Sequence, residues 1–259
     1  MDLGISGRRA IVCASSRGLG RACARALAAE GVEVVVNGRD AARLAATADE
    51  IRRESGVAVT PVVADLDTEE GRAALLAACP APDILVTNNG GPPPGRFEDW
   101  DRARWLAALE ANLLAPVLLI RGVLGGMRAR RFGRIVNVTS AMVKAPHAAL
   151  GLSTAARSAL TAVCKSLSRE VARDNVVINN LLPERIDTDR QRFMAELRMK
   201  TGGVTREQAY AEMAASIAAG RLGTVEEFGA ACAFLCSAHA SYVSGQNLQL
   251  DGGSYPGVF

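Results

Sequence analysis

The chain has 259 residues, of which 49% are hydrophobic and 22% charged, and its 30 lysines and arginines against 27 aspartates and glutamates give a net charge of +3. That length suffices for one large α/β domain, 1–259, with a well-buried core, and so small and dispersed a charge speaks against a nucleic-acid partner. No apolar run approaches the roughly 20 residues a membrane helix needs, and the N-terminus has no charged region followed by a hydrophobic stretch, so a cytoplasmic protein with no membrane partner is expected.

In chain order, apolar runs of strand length occur at 10–14, 32–36, 57–63, 84–87, 135–138, 176–182 and 248–250, with amphipathic stretches between them. Continuous rather than alternating apolarity implies strands covered on both faces. The expected fold is therefore α/β, a Rossmann-type doubly wound parallel sheet of seven strands with helices on both faces. Helical periodicity at 21–30 and 41–55 fits this. Residues 189–220 break the rhythm: they are rich in Arg, Met, Ala and Glu and are interrupted by Gly202-Gly203, which reads as two helices with a flexible joint. Ligands of open α/β sheets sit beyond the carboxyl ends of the strands, so this small helical pair is placed to be a substrate lid, or else it is a surface feature without a role in binding. The six cysteines form no Cys-x-x-Cys and only two histidines exist to join them, so buried reduced thiols and no metal site are expected.

The first strand runs into Cys13-Ala14-Ser15-Ser16-Arg17-Gly18-Leu19-Gly20, and later come Ala111-Asn112-Leu113-Leu114, Arg134-Ile135-Val136-Asn137-Val138-Thr139-Ser140 and Leu250-Asp251-Gly252-Gly253. Together these motifs resemble the short-chain dehydrogenase/reductase family over residues 8–253. The likeness is to its 3-oxoacyl-carrier-protein reductase type, whose members reduce a ketone with NADPH and commonly form homotetramers. The glycine loop is similar to the family's Thr-Gly-x-x-x-Gly-x-Gly with Ala14 at the first glycine. Gly18 and Gly20 would bring backbone close to a pyrophosphate at a helix N-terminus.

The resemblance places NADP(H) against Ala14, Ser15, Ser16, Arg17, Gly18, Leu19 and Gly20. Gly38 stands where NAD-dependent members carry an acid for the ribose diol, and Arg39 with Arg17 would instead converge on a 2′-phosphate. Asp65 and Leu66 match the adenine contact, Asn88 and Gly90 the Asn-Asn-Ala-Gly loop, and Pro183, Ile186 and Thr188 the loop that holds the carboxamide. Pro92-Pro93-Pro94 stiffens the loop over the cofactor.

In the family's catalytic tetrad, Asn112 holds a water relay and Ser140 donates to the carbonyl oxygen. Its tyrosine and lysine positions hold Ser153 and Arg157. Arginine can still hydrogen-bond the nicotinamide ribose, but serine is a far poorer acid than phenol and stops roughly 4 Å short. Lys144 is the first candidate for the missing donor, with His147 and Glu184 behind it.

The expected function is thus NADPH-dependent reduction of a small-molecule or carrier-bound carbonyl, 3-oxoacyl or other ketone, with a non-standard proton donor. The alternatives are reduction of a conjugated enone and a catalytically silent NADP(H)-binding protein. Apolar stripes at 160–172 and 226–237 would, by the resemblance, face partner subunits of a tetramer or dimer, or else the subunit's own core.

Overall fold

A computed structural model describes residues 2–258. The elements follow as β1 (Arg9–Val12), α1 (Gly18–Ala29), β2 (Glu33–Gly38), α2 (Ala41–Ser55), β3 (Val59–Val63), α3 (Glu69–Ala78), β4 (Ile84–Thr87), α4 (Arg102–Leu109), α5 (Ala115–Ala129), β5 (Gly133–Val138), α6 (Gly151–Val171), β6 (Val176–Pro183), α7 (Asp189–Gly202), α8 (Arg206–Ala215), α9 (Val225–Cys236) and β7 (Asn247–Leu250). The strands form one parallel sheet in the order β3-β2-β1-β4-β5-β6-β7. The order reverses direction between β1 and β4, and the crevice beyond the carboxyl ends there is where such sheets bind ligands.

The inner strands alternate their side chains between two cores. Ala10 and Val12 of β1 pack with Cys23 and Leu27 of α1 and with Phe228, Cys232 and Cys236 of α9. Ile11 faces the other way, with Leu119, Val123 and Met127 of α5 and Leu160 and Cys164 of α6. Helices α1 and α9 touch so closely that a Cβ on Gly229 would lie 2.7 Å from the Ala22 carbonyl oxygen. All six cysteines are buried and free, as expected.

Two expectations need correction. Strand β3 is not covered on both faces, because it is the sheet edge and exposes Thr60, Pro61 and Val63; an edge is also where a strand tolerates proline. The helical stretch Arg102–Ala129 is long and apolar enough to cross a membrane, with a window of mean hydropathy 1.6 that is 44% buried. Arg121, Gly122, Gly125 and Gly126 interrupt any strictly apolar run there, while the windowed average stays high. Its buried residues, Leu119, Ile120, Val123 and Met127, pack on the sheet, which is the disposition of a core helix.

The segment 189–220 forms the two expected helices. Gly203 ends α7 in the left-handed region at φ 62°, and Thr205 with Gln208 makes a capping box for α8. Ala195, Ala209 and Met213 form a small core between them.

Candidate active site

The β1–α1 loop is built by packing constraints legible atom by atom. Ala14 sits at φ 45°, in the left-handed region where glycine is the ordinary occupant. Two side chains clamp it there: Asn37 Oδ1 accepts from Ala14 N at 3.2 Å, and Asn88 Nδ2 donates to Ala14 O at 3.3 Å. A Cβ on Gly20 would lie 2.4 Å from Ala14 O, so helix α1 can begin this tightly only with glycine. Gly18 sits at φ 56°, and a Cβ on it would meet the Thr188 methyl at 3.8 Å. Arg17, the N-cap of α1, makes no side-chain capping bond, which leaves the first-turn N–H groups available to an anion. This cradle fits the pyrophosphate of a dinucleotide.

Ser15 takes a different place from the one expected. Its side chain is fully buried, donating to Val12 O at 2.7 Å and accepting from Asn37 N at 2.9 Å, so it shapes the loop from within. Leu66 likewise lies in the core beneath the crevice. Leu19 is half-buried against the first core. Ser16 holds the loop to α2 by accepting from Thr47 Oγ1 at 3.0 Å.

Gly38 presses on Ser16, where an added Cβ would come within 3.0 Å, so packing as well as cofactor choice disfavours a side chain here. The two expected phosphate-binding arginines are exposed and engaged separately. Arg17 pairs with Asp189 at 2.9 Å and Arg39 with Asp65 at 3.5 Å. Arg17 thereby ties the nucleotide loop to the first residue of α7.

Beyond β4, Asn89 Nδ2 donates to Asp67 at 2.8 Å and Gly90 N to Asn89 Oδ1 at 2.8 Å. Asn112 sits in a π-helical turn, Glu110–Leu114, between α4 and α5; such single turns recur at functional sites. Its buried amide donates to the Gly90 and Ala108 carbonyls at 3.3 and 3.4 Å. Ser140 follows β5, and its hydroxyl accepts from Met142 N at 3.2 Å.

Ser153 and Arg157 stand one turn apart on α6. Arg157 is buried, and its guanidinium fills the space the short serine leaves: Nε donates to Ser153 Oγ at 3.1 Å, Nη1 to Val138 O at 2.6 Å and to Thr139 O at 3.0 Å, and Nη2 to Asn89 O at 3.5 Å. A Cβ on Gly91 would lie 3.7 Å from Nη2. Burial first, and the Arg190 charge second, push the guanidinium down to about 10.

Lys144 has its ammonium 5.4 Å from the Tyr255 ring centre and lines a hollow with Ser158, Thr161 and Lys165 of α6. His147 is exposed and caps a turn, accepting from Ala149 N at 3.2 Å. Glu184 lines a cavity of about 190 Å³ with Arg221, Glu227 and Asp251. Pro183 ends β6, Ile186 is buried and bridges to Gly223, and Thr188 precedes α7 opposite Gly18.

Asn37 was not among the expected site residues. Its one signal in the sequence is a polar side chain ending the run Val34-Val35-Val36, and its buried amide also donates to Val62 O and Ala64 O at 3.2 and 3.1 Å.

A family model described as enoyl-(acyl carrier protein) reductase matches residues 13–255. An NADPH-dependent reductase of Bacillus subtilis, BacG, is 30% identical and aligns over 98% of this chain and all of its own length. A 3-oxoacyl-[acyl-carrier-protein] reductase of Aquifex aeolicus is 31% identical over 98% of this chain and all of its own length. Among solved structures, L-sorbose reductase from Gluconobacter frateurii, complexed with NADPH and L-sorbose, superposes with a TM-score of 0.94 at 31% identity, covering both chains completely.

Proposed function

Since the chain belongs to the short-chain dehydrogenase/reductase family, we propose that it is an NADPH-dependent carbonyl reductase in which Arg157 takes over the place of the absent tyrosine. Its cofactor is NADP(H), which when bound supplies hydride equivalents to the substrate carbon. The observation that carries the reading is the buried guanidinium held by the Val138 and Thr139 carbonyls, one peptide from Ser140.

The chain's own residues then divide the work. The first turn of α1, with Gly18 and Gly20, receives the pyrophosphate; Arg39, and Arg17 once released from Asp189, receive the 2′-phosphate. Thr188, with Pro183 and Ile186 holding its loop, faces the carboxamide, and Asp65 the adenine. Ser140 donates its hydroxyl hydrogen to the carbonyl oxygen, and Arg157 supplies a fixed positive charge beside the oxyanion that forms there. Fixed donors of this kind need no reorganisation as charge develops. The proton itself comes from solvent, through the Asn112 turn. Helices α7 and α8 serve as the substrate lid of a single domain. Leu106, Leu114, Leu118 and Val163, exposed on α4 to α6 and the turn between α4 and α5, support assembly as a homo-oligomer.

The family description favours a second reading, reduction of the carbon–carbon bond of an enone. There the oxygen that gains charge is farther from the carbon that accepts hydride, and Arg157 would meet it without any general acid. Separate titrations with NADPH and NADH, followed by cofactor fluorescence, test the common premise. NADPH should bind at least about 10-fold more tightly, as a charge-assisted phosphate contact requires; binding of neither nucleotide would overturn the reading.

A further inference from the structure

The lid helix α7 carries three arginines, and two of them are neutralised within the lid. Arg192 pairs with Asp189 at 2.9 Å, and Arg198 pairs with Glu212 at 2.7 and 3.3 Å. Arg190 differs. Its guanidinium donates to the Pro92 carbonyl at 3.4 Å and lies 5.7 Å from the Phe193 ring centre, and it pairs with no carboxylate among the described residues.

Arg157 hangs on the same loop, through Asn89 O at 3.5 Å, and it too has no carboxylate partner among the described residues. Two guanidiniums thus converge on residues 89–92 with no anion between them. The depression of Arg157 by the Arg190 charge reports the same proximity. Arg157 is buried and Arg190 exposed, and like charges brought together without a partner of opposite sign are costly. Asp189, next to Arg190 in the chain, is taken by Arg17 and Arg192, and Glu184 lines a different cavity.

Resting on the reading of this crevice as a carbonyl reductase site, we infer that Arg190 receives a carboxylate of the substrate, so that the enzyme selects 2-oxo or 3-oxo acids over neutral ketones. Asn89 and Pro92 are three residues apart, so at most about 10 Å of extended backbone separates the two points at which the guanidiniums meet the loop. A carboxylate one or two carbons from the reacting carbonyl meets both cations within so short a span. The phosphate of a carrier arm lies too far from its reacting carbon to do so.

The test is calorimetric, on the intact protein saturated with NADP⁺ so that no reduction occurs, with 2-oxohexanoate and its uncharged amide as probes. The acid should bind at least about 10-fold more tightly than the amide, the usual scale of one charge-assisted hydrogen-bonded pair. Arg190→Gln should bring the two probes to equal affinity while leaving NADP⁺ binding unchanged. Equal binding of acid and amide by the unaltered protein, or binding of neither once NADP⁺ is bound, overturns the inference. So does a parallel loss of NADP⁺ affinity in Arg190→Gln, which would assign the arginine to the cofactor. Failure to bind NADP⁺ at all would overturn the reductase reading and this inference with it.

Discussion

Arg157 Nε donates to the hydroxyl of Ser153 at 3.1 Å, one helical turn away on α6, so the longer side chain occupies the space that the shorter one leaves open. The two side chains therefore form a single coupled pair. A tyrosine introduced at 153 alone would drive a ring into the guanidinium. Ser153→Tyr is thus expected to be less active than Ser153→Tyr combined with Arg157→Lys, and steady-state turnover of the two proteins checks this.

Arg157→Gln keeps one hydrogen-bonding group but removes the charge beside Ser140. Turnover should fall by about 10²- to 10³-fold, the scale seen when one fixed oxyanion donor is lost, with NADPH binding retained. Lys144→Met should change turnover by less than about 2-fold, because its ammonium lies over Tyr255. Rate measurements on both variants with one substrate separate the two residues.

Asp189 holds Arg17 at 2.9 Å. A 2′-phosphate must compete with that carboxylate, so Asp189→Asn is expected to raise NADPH affinity a few-fold and leave NADH affinity unchanged. Arg39→Ala should instead lower NADPH affinity by about 10-fold, the charge-assisted contact being the larger effect. Fluorescence titration reads both.

The strained loop makes an asymmetric prediction. Ala14→Gly relieves a left-handed alanine, a gain of about 1–2 kcal/mol that exceeds the usual glycine entropy cost of about 0.5–1 kcal/mol. The protein should be equally or slightly more stable. Gly20→Ala forces a Cβ against Ala14 O and should abolish cofactor binding. Thermal unfolding with and without NADP⁺ distinguishes these outcomes.

Burial first, with Asp251 adding to it and Arg185 opposing, raises Glu184 above its ordinary value of 4.5. A carboxyl raised in the folded state favours folding while protonated, and that contribution is lost as pH rises from the ordinary value through the raised one. Glu184→Gln, which cannot ionise, should therefore unfold at a higher temperature than the unaltered protein near pH 7. The difference should vanish near about pH 4, where both carry a neutral side chain.

Much of this molecule is legible in its sequence because burial on two sides leaves continuous apolar runs. The limits of 84–87 and 41–55 coincide with β4 and α2, the latter closed by Asp40 accepting from Arg43 N and by Gly56 in the left-handed region. Errors arise where local pattern and tertiary role diverge. Helix α1 starts at Gly18 rather than at 21, because glycines carry no hydrophobic signal yet are what the crevice needs. Side-chain direction is the larger gap. That Ser15 turns inward, that Lys144 leans on Tyr255, and that Arg190, alone of the α7 and α8 arginines, pairs with no carboxylate among the described residues follow from contacts between residues far apart in the chain. Spacing cannot encode them.

The most direct measurement is product analysis after incubation of the protein with NADPH and a panel of ketones, oxo acids and conjugated enones. Oxidation of NADPH with conversion of the carbonyl to an alcohol, the carbon–carbon double bond of the enones remaining intact, is the predicted result. NADPH that binds yet is oxidised by no member of the panel would contradict it and leave a nucleotide-binding protein without this chemistry.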